Sequence, residues 1–290
     1  MSSTAGQQSN ILSLVNDTIE LPTMPEVLVR LNEVMADPES SSDDVARVVA
    51  KDPAVSANLL RIVNSAYYGL QVRVSSISLA VSVMGFSMTK KVALKAAVFS
   101  IFGKKRDRVR QFDPLGFWKH SIFTGVAART LGSVSPVFAD SNAEDLYICG
   151  LLHDIGKIIL LEKASDAYLP MLERASRDSL SELEAELEQF GFTHADVGSV
   201  LAIKWFLPED LTIAIRYHHA PCRDPFHRSL SSLIHLANHL AWSAGNPSTA
   251  GTPQPPIEHE VYDQVGLDPQ RVEDLLVQIQ EEFTSSEMPW

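Results

Sequence analysis

Apolar residues recur three and four positions apart along almost the whole chain, and the strict alternation of a half-buried strand is almost nowhere found. The pattern therefore predicts an all-helical protein. Thr23 ahead of Pro25 opens a first segment with Val27, Leu28, Leu31, Val34 and Met35 on one face, and Asp37-Pro38 closes it. Ser42 starts a second helix. Asp52-Pro53 reads as the N-cap and first residue of a third, with Val55, Leu59, Ile62 and Val63 facing inward. After the loop Tyr67-Tyr68-Gly69, a fourth helix runs from about Ser76 to Gly85. A fifth runs from Ser87 through Lys90, Lys91 and Lys95 to Gly103.

Asp113-Pro114 then caps a helix that carries Trp118 and His120 and stops near Gly132. Ser141 with Glu144 three residues on predicts a capping box for an apolar helix holding Leu146, Ile148, Leu151 and Leu152, which runs into His153-Asp154. Ser181 with Glu184 repeats the signal for an acidic helix with Leu180, Leu183, Leu187 and Phe190 along one apolar edge and Gly191 at its end. Thr193 caps the next helix, Pro208 begins another, and both lead toward His218-His219. Phe226 to Gly245 reads as one more helix, and Asp268-Pro269 opens the last.

The basic run from Lys104 to Arg110 lacks interleaved aromatics and reads as a solvated linker, which puts a boundary near residue 110. The expected organisation is an N-terminal extension over 1–19, an N-terminal helical subdomain over 20–110 and a second helical subdomain over 111–245. Residues 246–290 add a tether rich in Pro, Ser, Thr and Gly followed by a C-terminal helix. No internal repeat is visible.

The 290 residues are 45% apolar, enough to bury a full-sized core. A formal net charge of −12 argues against nucleic acid or an anionic membrane surface as the partner. Cys149 and Cys222, the only cysteines, lie too far apart to suggest a disulfide framework or a cysteine-based zinc knuckle. Met1 to Glu20 contains no Lys or Arg and no long apolar run, so no signal peptide is expected. No stretch approaches the roughly 18 apolar residues of a membrane span. These features together predict a cytoplasmic protein.

The nine histidines change the picture most. His120, the pair His153-Asp154, His194 and the doublet His218-His219 fall on separate helices or helix ends, an arrangement by which a bundle gathers ligands at one interior point. Imidazoles with a single carboxylate suit Zn, Fe, Ni or Mn, whereas Mg and Ca want more oxygen donors. One or two such ions, and no organic cofactor, are expected. Taken singly, a helix-borne histidine is usually a hydrogen-bonded core residue. His235 and His239, four apart on one helix face, have the spacing of a two-imidazole clamp, but Leu236 and Leu240 make the helix read as core packing; His227 and His259 read as surface. Trp118, Trp205, Phe206 and Tyr217 read as core aromatics and Cys149 as inert filling.

The run Gly150-Leu151-Leu152-His153-Asp154-Ile155-Gly156-Lys157 resembles the signature of the HD superfamily of metal-dependent phosphohydrolases. Leu21-Pro22-Thr23-Met24-Pro25, Lys51-Asp52-Pro53, the stretch Leu60 to Gly69 and the stretch Ile77 to Gly85 narrow the resemblance to the HDOD family, the HD-related output domains of bacterial signalling proteins. It covers about residues 20 to 220, with weaker HD-like similarity to about 245. It implies an all-helical HDOD bundle of two packed subdomains, acting as a regulatory or output module with a signalling protein as partner. A nucleotide or other phosphate-containing ligand is also implied, and self-association stays open.

The resemblance assigns metal-ligand roles to His120, His153 and Asp154, and the related HD-GYP phosphodiesterases extend them to His194, His218 and His219. They also give Lys157 a catalytic role. Two departures weigh against hydrolysis. The closing acidic ligand falls at Asn238, whose neutral carbonyl holds a cation more weakly and acidifies a bound water less than a carboxylate. Ala220-Pro221-Cys222-Arg223 stands where a Gly-Tyr-Pro element follows the doublet in that branch. A metal-dependent phosphohydrolase acting on nucleotides or cyclic dinucleotides is the alternative reading. Gly156 and Lys157 could also do no more than shape and solvate the turn after the helix.

Overall fold

The computed structural model describes residues 11–15, 26–49, 59, 62–63, 67–71, 77–103, 113–204 and 208–285. The expected start at Thr23-Pro25, the Asp52-Pro53 cap, the basic run Lys104 to Arg110, and Trp205 and Phe206 lie outside these residues. The described chain forms thirteen α-helices and two 3-10 turns with no strand, so the all-α reading holds. Among the described residues no helix is long and apolar enough to cross a membrane.

The chain divides into two compact units, Thr18–Arg108 and a second made of Met1–Asp17 with Val109–Trp290. The first unit contains α1 (Glu26–Ala36), α2 (Ser42–Val49) and α3 (Ile77–Gly103). Asp44 Oδ2 accepts from the Ser41 N–H at 2.9 Å and hydroxyl at 2.5 Å, which fixes where α2 begins. Leu31, Val45, Val48, Val49, Ala80 and Val81 form its core. The expected fourth and fifth helices run on as α3, broken at Gly85, whose φ of 76° and ψ of 165° interrupt the helical path.

The second unit holds α4 (Pro114–Val134), α5 (Ala143–Leu152), α6 (Ile155–Lys163), α7 (Ser165–Asp178) and α8 (Glu182–Phe190). It continues with α9 (His194–Lys204), α10 (Glu209–Tyr217), α11 (Arg228–Ser243), α12 (Glu260–Val265) and α13 (Pro269–Ser285). Helix α4 packs against α5, α11 and α13, while α9 packs against α6 and α10. Phe123, Leu131, Leu160, Tyr168, Met171, Leu201 and Ile215 are fully buried. Each apolar side chain so placed contributes about 1.5–3 kcal/mol. Among the described residues near the N-terminus, Val15 bonds to this unit: Lys204 Nζ donates to its carbonyl at 2.8 Å.

Three local expectations change. Helix α5 begins at Ala143, its first backbone bonds returning to the Asn142 carbonyl, so Ser141 is not its N-cap. The Ser181–Glu184 capping box is present, but α8 turns Glu182, Ala185 and Glu186 inward and leaves Leu187 51% exposed. The stretch expected to be a tether is seated against the bundle, with Ser248, Thr249 and Thr252 buried. Residues 245–256 thus form a strap along the bundle.

Candidate metal centre

Helix α5 ends at Leu152, and His153 and Asp154 form the turn into α6. Asp154 is the N-cap residue of α6 yet makes no side-chain capping bond, so its carboxylate is free to point into the interior. Two helix approaches then assemble the site. A Cβ on Gly150 would lie 2.6 Å from the Thr124 carbonyl oxygen, so α4 and α5 meet there and His120 comes within reach of His153. A Cβ on Gly156 would lie 1.9 Å from the His194 carbonyl oxygen and 2.7 Å from the Gly198 nitrogen. Only glycine lets α6 and α9 come this close, and the contact sets His194 beside Asp154. The doublet enters from the C-terminal end of α10, where His218 is the C-cap.

All five imidazoles and Asp154 converge. Asp154 Oδ1 lies 3.1 Å from His194 Nε2 and 3.3 Å from His218 Nε2, while Oδ2 lies 3.5 Å from His153 Nε2 and 3.8 Å from His120 Nε2. His219 Nε2 is 3.0 Å from His194 Nε2, and His120 Nε2 is 3.3 Å from His153 Nε2. His120, His153, Asp154, His194 and His218 are at most 1% exposed. Asp154, His194, His218 and His219 form one possible ligand set, and His120, His153 and Asp154 a second, with Asp154 common to both.

The opposite ring nitrogens show what these atoms are for. His120 Nδ1 faces the Asn246 carbonyl at 2.7 Å, His153 Nδ1 the Gly150 carbonyl at 2.7 Å, and His218 Nδ1 the Ile215 carbonyl at 2.8 Å. A carbonyl only accepts, so each Nδ1 carries the proton and each neutral ring presents a bare Nε2 lone pair to the centre. Lone pairs facing one another and a carboxylate repel unless a cation or proton lies between them. In keeping with this, Asp154 Oδ1 and His218 Nε2 are buried and make no bond of hydrogen-bond geometry. His120, His153 and His218 fit a divalent transition ion in both ligand chemistry and tautomer, Asp154 and His219 fit it in ligand chemistry, and His194 would join them by giving up the proton on Nε2.

Burial pushes His120 down to about 4 and lowers His153, His218 and His219, keeping these rings neutral as ligands must be. Burial alone would also lower His194, but the Glu186 and Asp154 carboxylates outweigh it and raise the ring to about 10. Burial would raise Asp154, yet His153, Lys157 and His194 together hold it well below the ordinary carboxylate range.

Lys157 is buried rather than solvated, and all three of its N–H bonds are engaged. Nζ lies 2.8 Å from Asp154 Oδ2, 2.8 Å from Glu182 Oε2 and 2.7 Å from Ser248 Oγ. Burial opposes its charge, but Asp154 and Glu182 prevail and its pKa is raised. Asn238 is buried on α11 with an Oδ1 that bonds to nothing. His235 is no metal clamp: its Nδ1 donates to the His218 carbonyl at 2.7 Å, and its Nε2 accepts from the Glu258 N–H at 3.2 Å. His239 is instead occupied by Gln254.

Several supporting residues escape a reading of the sequence. Glu186 Oε2 accepts from His194 Nδ1 at 2.8 Å and from the His194 N–H at 2.9 Å. The Tyr168 hydroxyl lies 2.8 Å from Glu182 and 3.1 Å from Glu186. Thr249 Oγ1 donates to Glu182 Oε2 at 3.0 Å. The one available signal is the Ser181–Glu184 box, which sets the phase of α8; four-residue spacing then puts Glu182 and Glu186 on one face.

The HDOD domain family matches residues 21–221, and the chain belongs to that family. An HDOD domain protein of unknown function from Geobacter sulfurreducens is similar in structure, with 20% identity, a TM-score of 0.72, and coverage of 97% of this chain and 99% of that one. A candidate signal transduction protein from Marinobacter aquaeolei VT8 is similar at 24% identity and a TM-score of 0.74, with 97% of this chain and 64% of that one covered. An uncharacterized protein of Treponema pallidum (strain Nichols) is 25% identical over 234 residues, which make up 80% of this chain and 44% of that protein. The chain thus spans less than half the length of that relative.

Proposed function

We propose that this protein is a cytoplasmic HDOD output module of bacterial signal transduction, with one or two divalent ions of iron, manganese, zinc or nickel at its His-Asp centre, and that it acts by binding a partner rather than by hydrolysis. The observation that carries this is the closure of a centre otherwise rich in donors. The cavity beside it, lined by Lys157, Glu182, His194, His219, Trp242 and the strap, measures about 50 Å³. With the segment from Ser248 to Pro256 in place, a space of this size holds a few waters and no nucleotide. Asn238 in place of an acid points the same way. The ligands would be His120, His153, Asp154, His194, His218 and His219, with Asn238 as a neutral supplementary donor, and the metal would supply a fixed charge that locks α4, α5, α9 and α10 together.

A second reading, a metal-dependent phosphohydrolase, is favoured by Lys157, which lies 2.8 Å from Asp154 and could neutralise a phosphoryl oxygen. A metal there would acidify a bound water. Hydrolysis of cyclic dinucleotides and of a generic phosphodiester by the wild type and Asn238→Asp separates the two. The output-module reading expects rates far below about 1 per second for both, the ordinary range of an enzyme. Turnover at that rate by the wild type overturns it, and a large gain in Asn238→Asp marks a weakened hydrolase.

A further inference from the structure

We infer that residues 245–256 form an autoinhibitory strap that closes the metal centre and must lift before Lys157 or the ions can be reached. The inference rests on the metal-binding reading above and adds a gate to it. Three bonds fasten the strap to three different parts of the site. The Asn246 carbonyl accepts from His120 Nδ1 at 2.7 Å, Ser248 Oγ accepts from Lys157 Nζ at 2.7 Å, and Thr249 Oγ1 donates to Glu182 Oε2 at 3.0 Å. A fourth bond, from Thr252 Oγ1 to the Thr249 carbonyl at 3.1 Å, folds the strap on itself.

The occupancy of Lys157 makes this contact inhibitory. An ammonium has three N–H donors, and here Asp154, Glu182 and Ser248 take all of them. Any anionic group approaching Nζ must displace one. The Ser248 hydroxyl is neutral and the other two are carboxylates, so the strap's bond is the cheapest to break. Thr252, Pro253, Pro255 and Pro256 close the same side of the small cavity that reaches His194 and His219.

The strap is also built to move as a unit. Gly245 at φ 79° and Gly251 at φ 84° flank the segment that holds Asn246, Ser248 and Thr249, and both lie in the region where glycine bends the chain without strain. On its outer side, Gly245 to Ala250 border a cavity of about 740 Å³ shared with Phe117, Lys119 and Ser176, which gives the strap room to retreat. Its three bonds to the site are made by two side-chain hydroxyls and one backbone carbonyl.

The test follows Co²⁺ entering metal-free full-length protein by its visible absorption, and leaving to a chelator, in the wild type and in Ser248→Ala/Thr249→Ala. Both positions keep the metal ligands intact. The expected result is entry and release about tenfold or more faster in the variant, with the same final Co²⁺ content, as loss of two charge-assisted bonds predicts. Equal rates in two proteins that both bind Co²⁺ overturn the strap and leave the metal centre standing. No Co²⁺ bound by either protein overturns the metal reading and the strap with it. A double variant that fails to fold is replaced by Ser248→Ala alone, which removes the strap's bond to Lys157 and is expected to speed both steps; unchanged rates there also overturn the inference.

Discussion

His194 Nδ1 stands 2.8 Å from Glu186 Oε2, and the same oxygen accepts the His194 backbone N–H at 2.9 Å. One fully buried carboxylate therefore fixes both the start of α9 and the orientation of its first imidazole, turning Nε2 toward Asp154. Glu186→Gln keeps the shape and removes the charge. Outer carboxylates of this kind tune affinity by about 10–100-fold. The variant is expected to bind Zn²⁺ more weakly by that factor in chelator competition. Unchanged affinity would mean that Glu186 only packs.

Lys157 answers two buried carboxylates, Asp154 and Glu182. Lys157→Met leaves both uncompensated, which costs about 3–5 kcal/mol when a buried pair loses one partner. The loss should appear in full in urea unfolding of metal-free protein and shrink when metal is bound, because the ion then faces Asp154. An equal loss with and without metal would separate Lys157 from the centre.

Gly156→Ala places a methyl 1.9 Å from the His194 carbonyl, where backbone and not a flexible side chain must yield. Forced overpacking typically costs about 1–3 kcal/mol. Helices α6 and α9 are expected to separate, lowering the unfolding midpoint and the metal content together. A variant that keeps its metal content would show that the approach at Gly156 is not what places His194.

The pH dependence of metal-free protein follows from the histidines. Burial lowers His120 from 6.5 to about 4 and lowers His153, His218 and His219 as well. Below pH 6.5 the unfolded chain takes up protons that the folded one refuses. Stability therefore falls as pH drops from 6.5 toward 4, by roughly 3 kcal/mol for His120 alone. His194, raised to about 10, works the other way: its contribution is whole below 6.5 and is lost as pH rises through 10. Denaturant midpoints at several pH values check both limbs. A midpoint that holds steady or rises on acidification below pH 6.5 would contradict the buried neutral rings.

What the sequence made legible divides along physical lines. Periodicity and caps located α4, α5 and α8 to α11 to within a few residues and the start of α13, because several carry local signals such as Ser181-Glu184 and Asp268-Pro269, whereas α6 and α7 went unread. The six converging residues were legible because each is a residue type with few uses inside a helix. The strap was not. Ser, Thr, Pro and Gly look like a solvated linker by composition, and only the tertiary placement of Lys157 and Glu182 gives Ser248 and Thr249 partners. Helix α12, six residues long, is too short for its period to stand out. The expected inward place of Leu187 fails because Glu182 and Glu186 are held inside by Lys157, Tyr168 and His194, overriding the hydrophobic stripe.

The central claim is that six residues on separate helices and turns form one occupied metal centre. Elemental analysis of protein purified without chelator or nickel resin tests it most directly, run beside His120→Ala and His153→Ala. The account predicts one or two equivalents of iron, manganese, zinc or nickel in the wild type and loss of most of it in both variants. A wild type that carries no transition metal, and takes none up when offered, would contradict it.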